Sequence, residues 1–384
     1  MQKGLLNSCD LEEVVNQFKI KGEVREIRPY GSGHINDTYH VANTNPELPD
    51  YLLQCINSYV FKDVPLLIRN IEIVTRHIKT RLKTISGSLP DRQVLTLIET
   101  HSQKPYHKDA TGKYWRLYIF LEDTLSYDIV TTVNQAEEGG KAFGRFQSLI
   151  SDLNAGLIGQ TIPNFHNIEM RLSKFEDALS VNSKQRVKDV IAEIEFVRVR
   201  RKTMSQILEL GHSGKLPLRI THNDTKFNNV LLDKNDKAQC VIDLDTVMPG
   251  YIAYDFGDAI RTIVNTAAED EADISKIKVN VALFKAFTKG FLSETASFLS
   301  DEEIYSLPMG ALLLPYIVGL RFLTDYLEGD KYFKIHFPTH NLQRAQAQFQ
   351  LLKKLEDVYP KLQEIVQTTA QEYSSTVLIN NVNN

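Results

Sequence analysis

Between Ile220 and Asp245 apolar runs and polar loops follow one another in an order that few architectures accept. The run Ile220-Thr221 leads into His222-Asn223-Asp224-Thr225-Lys226-Phe227-Asn228-Asn229, and a second run follows at Val230-Leu231-Leu232. A polar turn at Asp233-Lys234-Asn235-Asp236 precedes a third run, Val241-Ile242, which ends in Asp243-Leu244-Asp245. Turn residues between short apolar runs predict a hairpin. Its polar residues then converge at one mouth.

Transfer of a phosphoryl group to a hydroxyl needs a carboxylate to orient that hydroxyl and accept its proton. It also needs oxygen ligands for the divalent ions that bridge the phosphates. His222-x-Asp224-x-x-x-x-Asn229 supplies the carboxylate and one ligand at the spacing of a protein-kinase catalytic loop. Asp243 follows Asp224 by 19 residues, after one more hairpin, where the second metal ligand belongs. His-x-Asp alone reads as a capped turn, because Asn, Asp and Thr satisfy turns locally. The register of Asn229 and Asp243 is what points to catalysis. Asp245, at the same strand end, leaves open whether both carboxylates meet the metal. Asp255-Phe256-Gly257 imitates the kinase metal-binding tripeptide but begins 31 residues past Asp224, beyond Pro249-Gly250, at a helix start. Its expected job is to brace the catalytic loop, leaving the metal to Asp243.

Upstream, residues 10 to 20 read as a capped amphipathic helix. A strand over 24–30 runs into Gly31-Ser32-Gly33-His34-Ile35-Asn36, where a glycine pair lets backbone amides approach phosphate oxygens. A plain hairpin turn fits Gly-x-Gly as well, but the place ahead of the catalytic loop favours phosphate. The third strand, 51–57, carries Gln54 where a kinase carries its phosphate-pairing lysine. A glutamine can hydrogen-bond phosphate but brings no charge, so the charge falls to metal or to another side chain. Asp63, Pro65 and apolar residues from Val64 to Ile78 at helical spacing predict a helix over 64–79, which bears Glu72. Strands over 93–99 and 114–121 come next, the second ending in a hinge, Phe120-Leu121-Glu122-Asp123, whose backbone suits a nucleotide base. Beyond Ser126 the pattern turns helical, over 134–151, 167–211, 255–266, 272–296, 301–328 and 338–372.

Composition narrows the partners. The 384 residues are 42% hydrophobic with a net charge of -4, enough for two or three lobes and without the basic field that nucleic acid or acidic lipid would need. Three scattered cysteines, Cys9, Cys55 and Cys240, suggest neither a disulfide framework nor zinc. Met1 to Asp10 lacks the apolar run of a signal segment, and no stretch reads as a membrane span. The expectation is a cytoplasmic protein, monomeric by default, with small-molecule partners, no nucleic acid and no membrane.

Taken together, Pro29-Tyr30-Gly31 with Gly33-His34-Ile35-Asn36, Arg69-Asn70, Thr221-His222-Asn223-Asp224, Ile242-Asp243-Leu244-Asp245, Met248-Pro249-Gly250, Asp255-Phe256-Gly257-Asp258 and the stretch from Arg321 to Asp330 carry a resemblance. The chain resembles the aminoglycoside-phosphotransferase (APH) superfamily over nearly its whole length, and within it is similar to the N-acetylhexosamine 1-kinases. That implies a protein-kinase-like bilobal α+β fold. A nucleotide-binding lobe over 1–122 would hold an antiparallel sheet plus a helix, and a mostly helical lobe over 123–384 would hold the catalytic hairpin. It also implies ATP- and Mg2+-dependent phosphorylation of the anomeric hydroxyl of N-acetylglucosamine or N-acetylgalactosamine. On the matching positions Asp224 is the base, Asn229 and Asp243 hold Mg2+, and Gly31, Ser32, Gly33, Gln54 and Glu122 face ATP. His34, Arg321 and Tyr332 join Asp224 in contacting the sugar. Gln54 matches a glutamine of these enzymes, so the missing lysine does not signify a dead site. The competing expectations are an aminoglycoside, choline or homoserine kinase of the same superfamily, and an ATP-binding pseudokinase.

Overall fold

The computed structural model describes residues 8–31, 35–181 and 185–382, and the chain divides into two compact units. The first comprises residues up to Thr124 with 156–163 and 239–247, and the second comprises 125–155, 164–238 and 248 onward.

The first unit is built on a five-stranded antiparallel sheet. Its order is β1 (Val24–Pro29), β2 (Asp37–Asn43), β3 (Tyr51–Ile56), β5 (Tyr114–Ile119) and β4 (His107–Lys108). Ahead of it, α1 spans Ser8–Val15, earlier and shorter than the expected 10–20. The chain leaves the helix because Phe18 turns into the core beside Val15, Leu53, Trp115 and Leu117 and bridges to Thr100. Helix α2 (Val64–Leu82) starts as its sequence predicts: Asp63 accepts the Leu66 N–H at 3.0 Å, and Val64, Leu67, Ile68, Ile71, Val74 and Ile78 form its buried stripe. The strand expected over 93–99 does not form. Pro90 starts a short helix, α3 (Pro90–Gln93), and single bonds such as Ile98 N–H to Leu117 O at 2.8 Å tie the next segment to the sheet. Val94 and Leu95 are buried all the same. The apolar run signalled burial rather than pairing, which periodicity cannot separate in short runs. Buried Asn70 on α2 bonds Gly159 through both its carboxamide atoms, at 2.7 and 3.0 Å, and the Val247 carbonyl at 3.0 Å. It thereby fastens the two later segments to the first unit.

In the second unit β6 (Arg219–Thr221) pairs antiparallel with β9 (Met248–Gly250). Strand β7 (Val230–Leu232) leads into a turn closed by Asp233 N–H to Lys237 O at 2.9 Å, and β8 (Ala238–Val241) then carries the chain into the 239–247 segment of the first unit. The rest is helical: α4 (Val133–Leu149), α5 (Ile168–Val181), α6 (Ile191–Met204), α7 (Gln206–His212), α8 (Ile252–Ile263), α9 (Val281–Thr295), α10 (Asp301–Glu328) and α11 (His340–Val382). The expected helix over 272–296 begins only at Val281, where Asn280 caps it. Against the reading that no stretch is apolar enough to span a membrane, an 18-residue window of α10 has mean hydropathy 1.5. With 89% of that window buried inside the fold, α10 is a core helix. It crosses α8 closely: a Cβ on Gly257 would sit 2.2 Å from the Gly310 carbonyl oxygen.

Candidate active site

Asp224 comes after two residues whose backbone the second unit grips from several sides. Asn223 has φ +64°, a left-handed conformation that costs a non-glycine about 1 kcal/mol and persists only where its surroundings impose it. Its N–H donates to Asp255 Oδ1 at 2.7 Å and its carbonyl meets His166 Nε2 at 3.1 Å. The His222 N–H donates to Asp255 Oδ2 at 2.8 Å, an oxygen that also accepts from Gln147 Nε2 at 2.6 Å. Thr225 Oγ1 donates to the Asp255 carbonyl at 2.5 Å. The His222 ring is buried edge-on to Phe143 and Phe146, and its Nδ1 accepts the Asp224 N–H at 3.3 Å. Asp255 is therefore the brace that its position suggests. The tripeptide that imitates a metal motif has separate structural reasons: the aspartate ties the loop, Phe256 packs against Phe284, Phe287 and Phe291, and Gly257 admits α10.

The Asp224 carboxylate remains 24% exposed, with Lys226 Nζ 3.1 Å from Oδ1. Asn229, at the end of a 3-10 turn, donates from Nδ2 to the Asp224 carbonyl at 2.7 Å and to Oδ2 at 3.3 Å. Burial pushes the Asp224 carboxyl up, but the charge of Lys226, reinforced by its hydrogen bond and by His222 and Arg261, outweighs it. The group is held below the usual carboxylate range and is ionised at neutral pH, as a proton acceptor must be.

His166 connects this loop to a second cluster. Its ring is buried, its Nδ1 has no hydrogen-bond partner among the described residues, and Nε2 faces the Asn223 carbonyl, so the neutral Nε2–H form fits. Burial, with Arg321 and Arg171 nearby, drops its pKa from 6.5 to about 3. The unfolded chain then binds a proton that the folded chain refuses. Stability contributed by neutral His166 is present above pH 6.5 and is lost as pH falls toward 3. We expect native stability to decline over that window by an amount on the order of a few kcal/mol. In His166→Gln, which keeps a donor for Asn223 but cannot titrate, the acid limb should flatten. Urea midpoints measured against pH check this, and parallel limbs for the two proteins would refute it.

Around His166 stand Arg171 and Arg321. The Arg321 guanidinium lies over the rings of Phe165, Tyr332 and Phe333 at 5.1, 5.8 and 5.4 Å. Arg171 donates Nε and a terminal nitrogen to the Phe165 carbonyl at 3.1 and 2.7 Å. Burial and the neighbouring Arg321 lower its pKa to about 9. Among the described residues neither arginine has a carboxylate partner. The loop bearing Tyr332 and Phe333 is fixed by Asp325, whose buried carboxylate accepts the N–H groups of Lys331, Tyr332 and Phe333 at 2.8–2.9 Å, and Asn341 Nδ2 at 2.9 Å. Gly329, with φ +94°, ends α10, and Asp330 pairs with Arg186 at 2.6 Å.

The first unit holds the other expected residues. Gly31 has φ +75° and open space where a side chain would stand, whereas Ser32, Gly33 and His34 lie outside the described residues. Exposed Glu122 has its carbonyl bonded to Arg92 at 3.0 Å. Gln54, expected to face phosphate, accepts Arg116 Nε on its oxygen at 2.9 Å and donates its nitrogen to Thr38 at 3.1 Å. Asp243 is exposed, with φ +60° and ψ +57°. Asp245 is buried with both oxygens taken, one by Arg116 and the other by Asn36 Nδ2 at 2.8 Å, which suits an anchor rather than a metal ligand. Glu72 pairs with Arg76 on the surface.

Arg116, Arg171, Phe165 and Phe333 escaped the reading of the sequence, which included Asp325 in the stretch from Arg321 to Asp330 but gave it no role. The one legible signal among them was an arginine inside the apolar strand Tyr114-Trp115-Arg116-Leu117-Tyr118, which demands a buried partner.

Asn229 in the second unit, its nitrogen committed to Asp224, and exposed Asp243 in the first unit each carry the hard oxygen type that suits a small divalent cation. Residues 26–276 match the phosphotransferase enzyme family, APH. Among solved structures, the chain is similar to an aminoglycoside phosphotransferase from Alicyclobacillus acidocaldarius, with TM-score 0.62 and 11% identity, covering 96% of this chain and 98% of that one. It is also similar to a microcompartment-associated aminopropanol kinase (TM-score 0.63, 15% identity, 92% and 98% covered). A third is the choline kinase of Cryptosporidium parvum (0.58, 16%, 95% and 99%). These likenesses establish the kinase-like fold.

Proposed function

The chain belongs to the phosphotransferase enzyme family, and we propose that it transfers the terminal phosphoryl group of ATP to the anomeric hydroxyl of an N-acetylhexosamine, giving the sugar 1-phosphate. Asp224 orients the hydroxyl and takes its proton. By their spacing in the motif, Asn229 and Asp243 would supply oxygen ligands to Mg2+, which would neutralise charge on the phosphates. An anomeric hydroxyl is more acidic than an ordinary alcohol, so a carboxylate with a low pKa suffices as base, and alignment supplies most of the acceleration.

The observation that supports a neutral sugar over a cationic acceptor is the pair Arg171 and Arg321, without carboxylate partners among the described residues, beside the catalytic loop. An ammonium about 6 Å from a guanidinium is repelled by about 3 kcal/mol at an effective dielectric of 20, and here there are two. Hydroxyl and acetamido oxygens instead accept from guanidinium groups, and Tyr332 and Phe333 suit the apolar face of a sugar ring.

The test is ADP release with magnesium-ATP over N-acetylglucosamine, N-acetylgalactosamine, galactose, choline, homoserine and kanamycin, with phosphorus NMR to locate the new phosphate. We expect turnover on the N-acetylhexosamines with phosphate on C1. Turnover confined to the amines would discard the sugar reading and keep the catalytic residues, and nucleotide binding without product on any acceptor would leave a pseudokinase.

A further inference from the structure

Protein kinases pair a lysine on the third strand with a glutamate on the neighbouring helix. Here Gln54 occupies the strand, and Glu72 on α2 pairs with Arg76 instead. The buried cation sits one strand over. Thr38, Gln54 and Arg116 are direct cross-strand neighbours on β2, β3 and β5, linked side chain to side chain in a row. At the end of the row the Arg116 guanidinium, on a residue 1% exposed, binds Asp245. Asp245 in turn takes Asn36, whose Oδ1 accepts the Asn57 N–H at 3.0 Å.

A buried ion pair seldom adds stability over well-packed apolar residues of the same size, so its retention points to geometry. The geometry at stake is two residues away. Asp243 holds a left-handed conformation that is not intrinsically favoured, at the head of a turn whose Leu244, Asp245 and Thr246 are buried. Asn70 fixes the far end of that turn through the Val247 carbonyl, and Arg116 fixes the near end through Asp245.

Resting on the reading of the chain as an ATP-dependent phosphotransferase, we infer that Arg116 is the positioning residue that replaces the strand lysine: gripping Asp245, it fixes the backbone that presents Asp243 to the divalent cation of the nucleotide. Gln54 aims Arg116 rather than touching phosphate, which is why a glutamine serves at that position.

Mn2+ titration at fixed ATP, read by electron paramagnetic resonance of the free ion, tests this without any acceptor. Loss of an outer partner of a metal ligand weakens metal affinity by about 10- to 100-fold. We expect that shift in Arg116→Met, a partial return in Arg116→Lys, and unchanged binding of ATP without metal. The double variant Arg116→Met/Asp245→Leu removes both charges, and is expected to melt close to the native protein while keeping the Mn2+ defect, which separates positioning from folding. Native Mn2+ affinity in the folded double variant would overturn the role of Arg116 alone. If the native protein bound no Mn2+ with ATP, the phosphotransfer reading would fall, and this inference with it.

Discussion

Asp224→Asn lowers kcat by about 100- to 10,000-fold, the range for removing a positioned general base, while nucleotide affinity stays near native. The substitution preserves size and leaves Asn229 Nδ2 its bonds to the Asp224 carbonyl and to a side-chain oxygen, so the loop keeps its shape. What disappears is the charge that Lys226 stabilises and with it the ability to take a proton. With the carboxamide oxygen kept on Asn229, the new amino group faces Lys226, whose exposed side chain turns to solvent, so little stability is lost. Because this carboxyl titrates below the usual range, the native acid limb of kcat/KM attributable to it lies below that of an ordinary aspartate. Steady-state rates together with calorimetric titration of ADP check the prediction. A variant turning over within about tenfold of native would place the base elsewhere.

The catalytic loop was legible because its chemistry is local. Asp224 and Asn229 are five residues apart in one turn, and the strands on either side are short apolar runs bounded by turn residues. The same locality made α2 readable from Asp63 and Pro65, and α10 falls at the expected 301–328. What stayed hidden was set by pairing across the chain. Arg116 meets Gln54 over 62 residues and Asp245 over 129, and no periodicity connects them. Arg171 looked like one more charge on a helix in a charge-rich region. Its neighbours Phe165 and Arg321 come from a loop and from a helix far downstream. The strand expected over 93–99 failed for a different reason: Val94 and Leu95 are buried without a partner strand, and β-like composition reports burial more than pairing.

Asp255→Ala is expected to damage stability and turnover together. The side chain is 1% exposed, and its two oxygens satisfy the N–H groups of His222 and Asn223 and the carboxamide of Gln147. Truncation strands three buried donors. Each costs about 1–3 kcal/mol when left without an acceptor, so a net loss of about 3–5 kcal/mol is expected even if a water enters. Asn223 at φ +64° also loses one of the bonds that impose its conformation, and Asp224, the next residue, moves with it. Asp255→Asn falls between, since one oxygen still accepts while the new amino group meets an N–H. Burial already raises the pKa of Asp255, so its value to the fold lies in the acceptor geometry more than in charge. The metal-ligand alternative for Asp-Phe-Gly makes the opposite forecast: metal dependence would shift at native stability. Thermal melts and Mg2+ titrations of kcat on the same preparations separate the two. A protein with native melting and a displaced Mg2+ curve would return the metal to Asp255, whereas a lower melting point with a fallen kcat and an unmoved Mg2+ midpoint is the result that a brace requires.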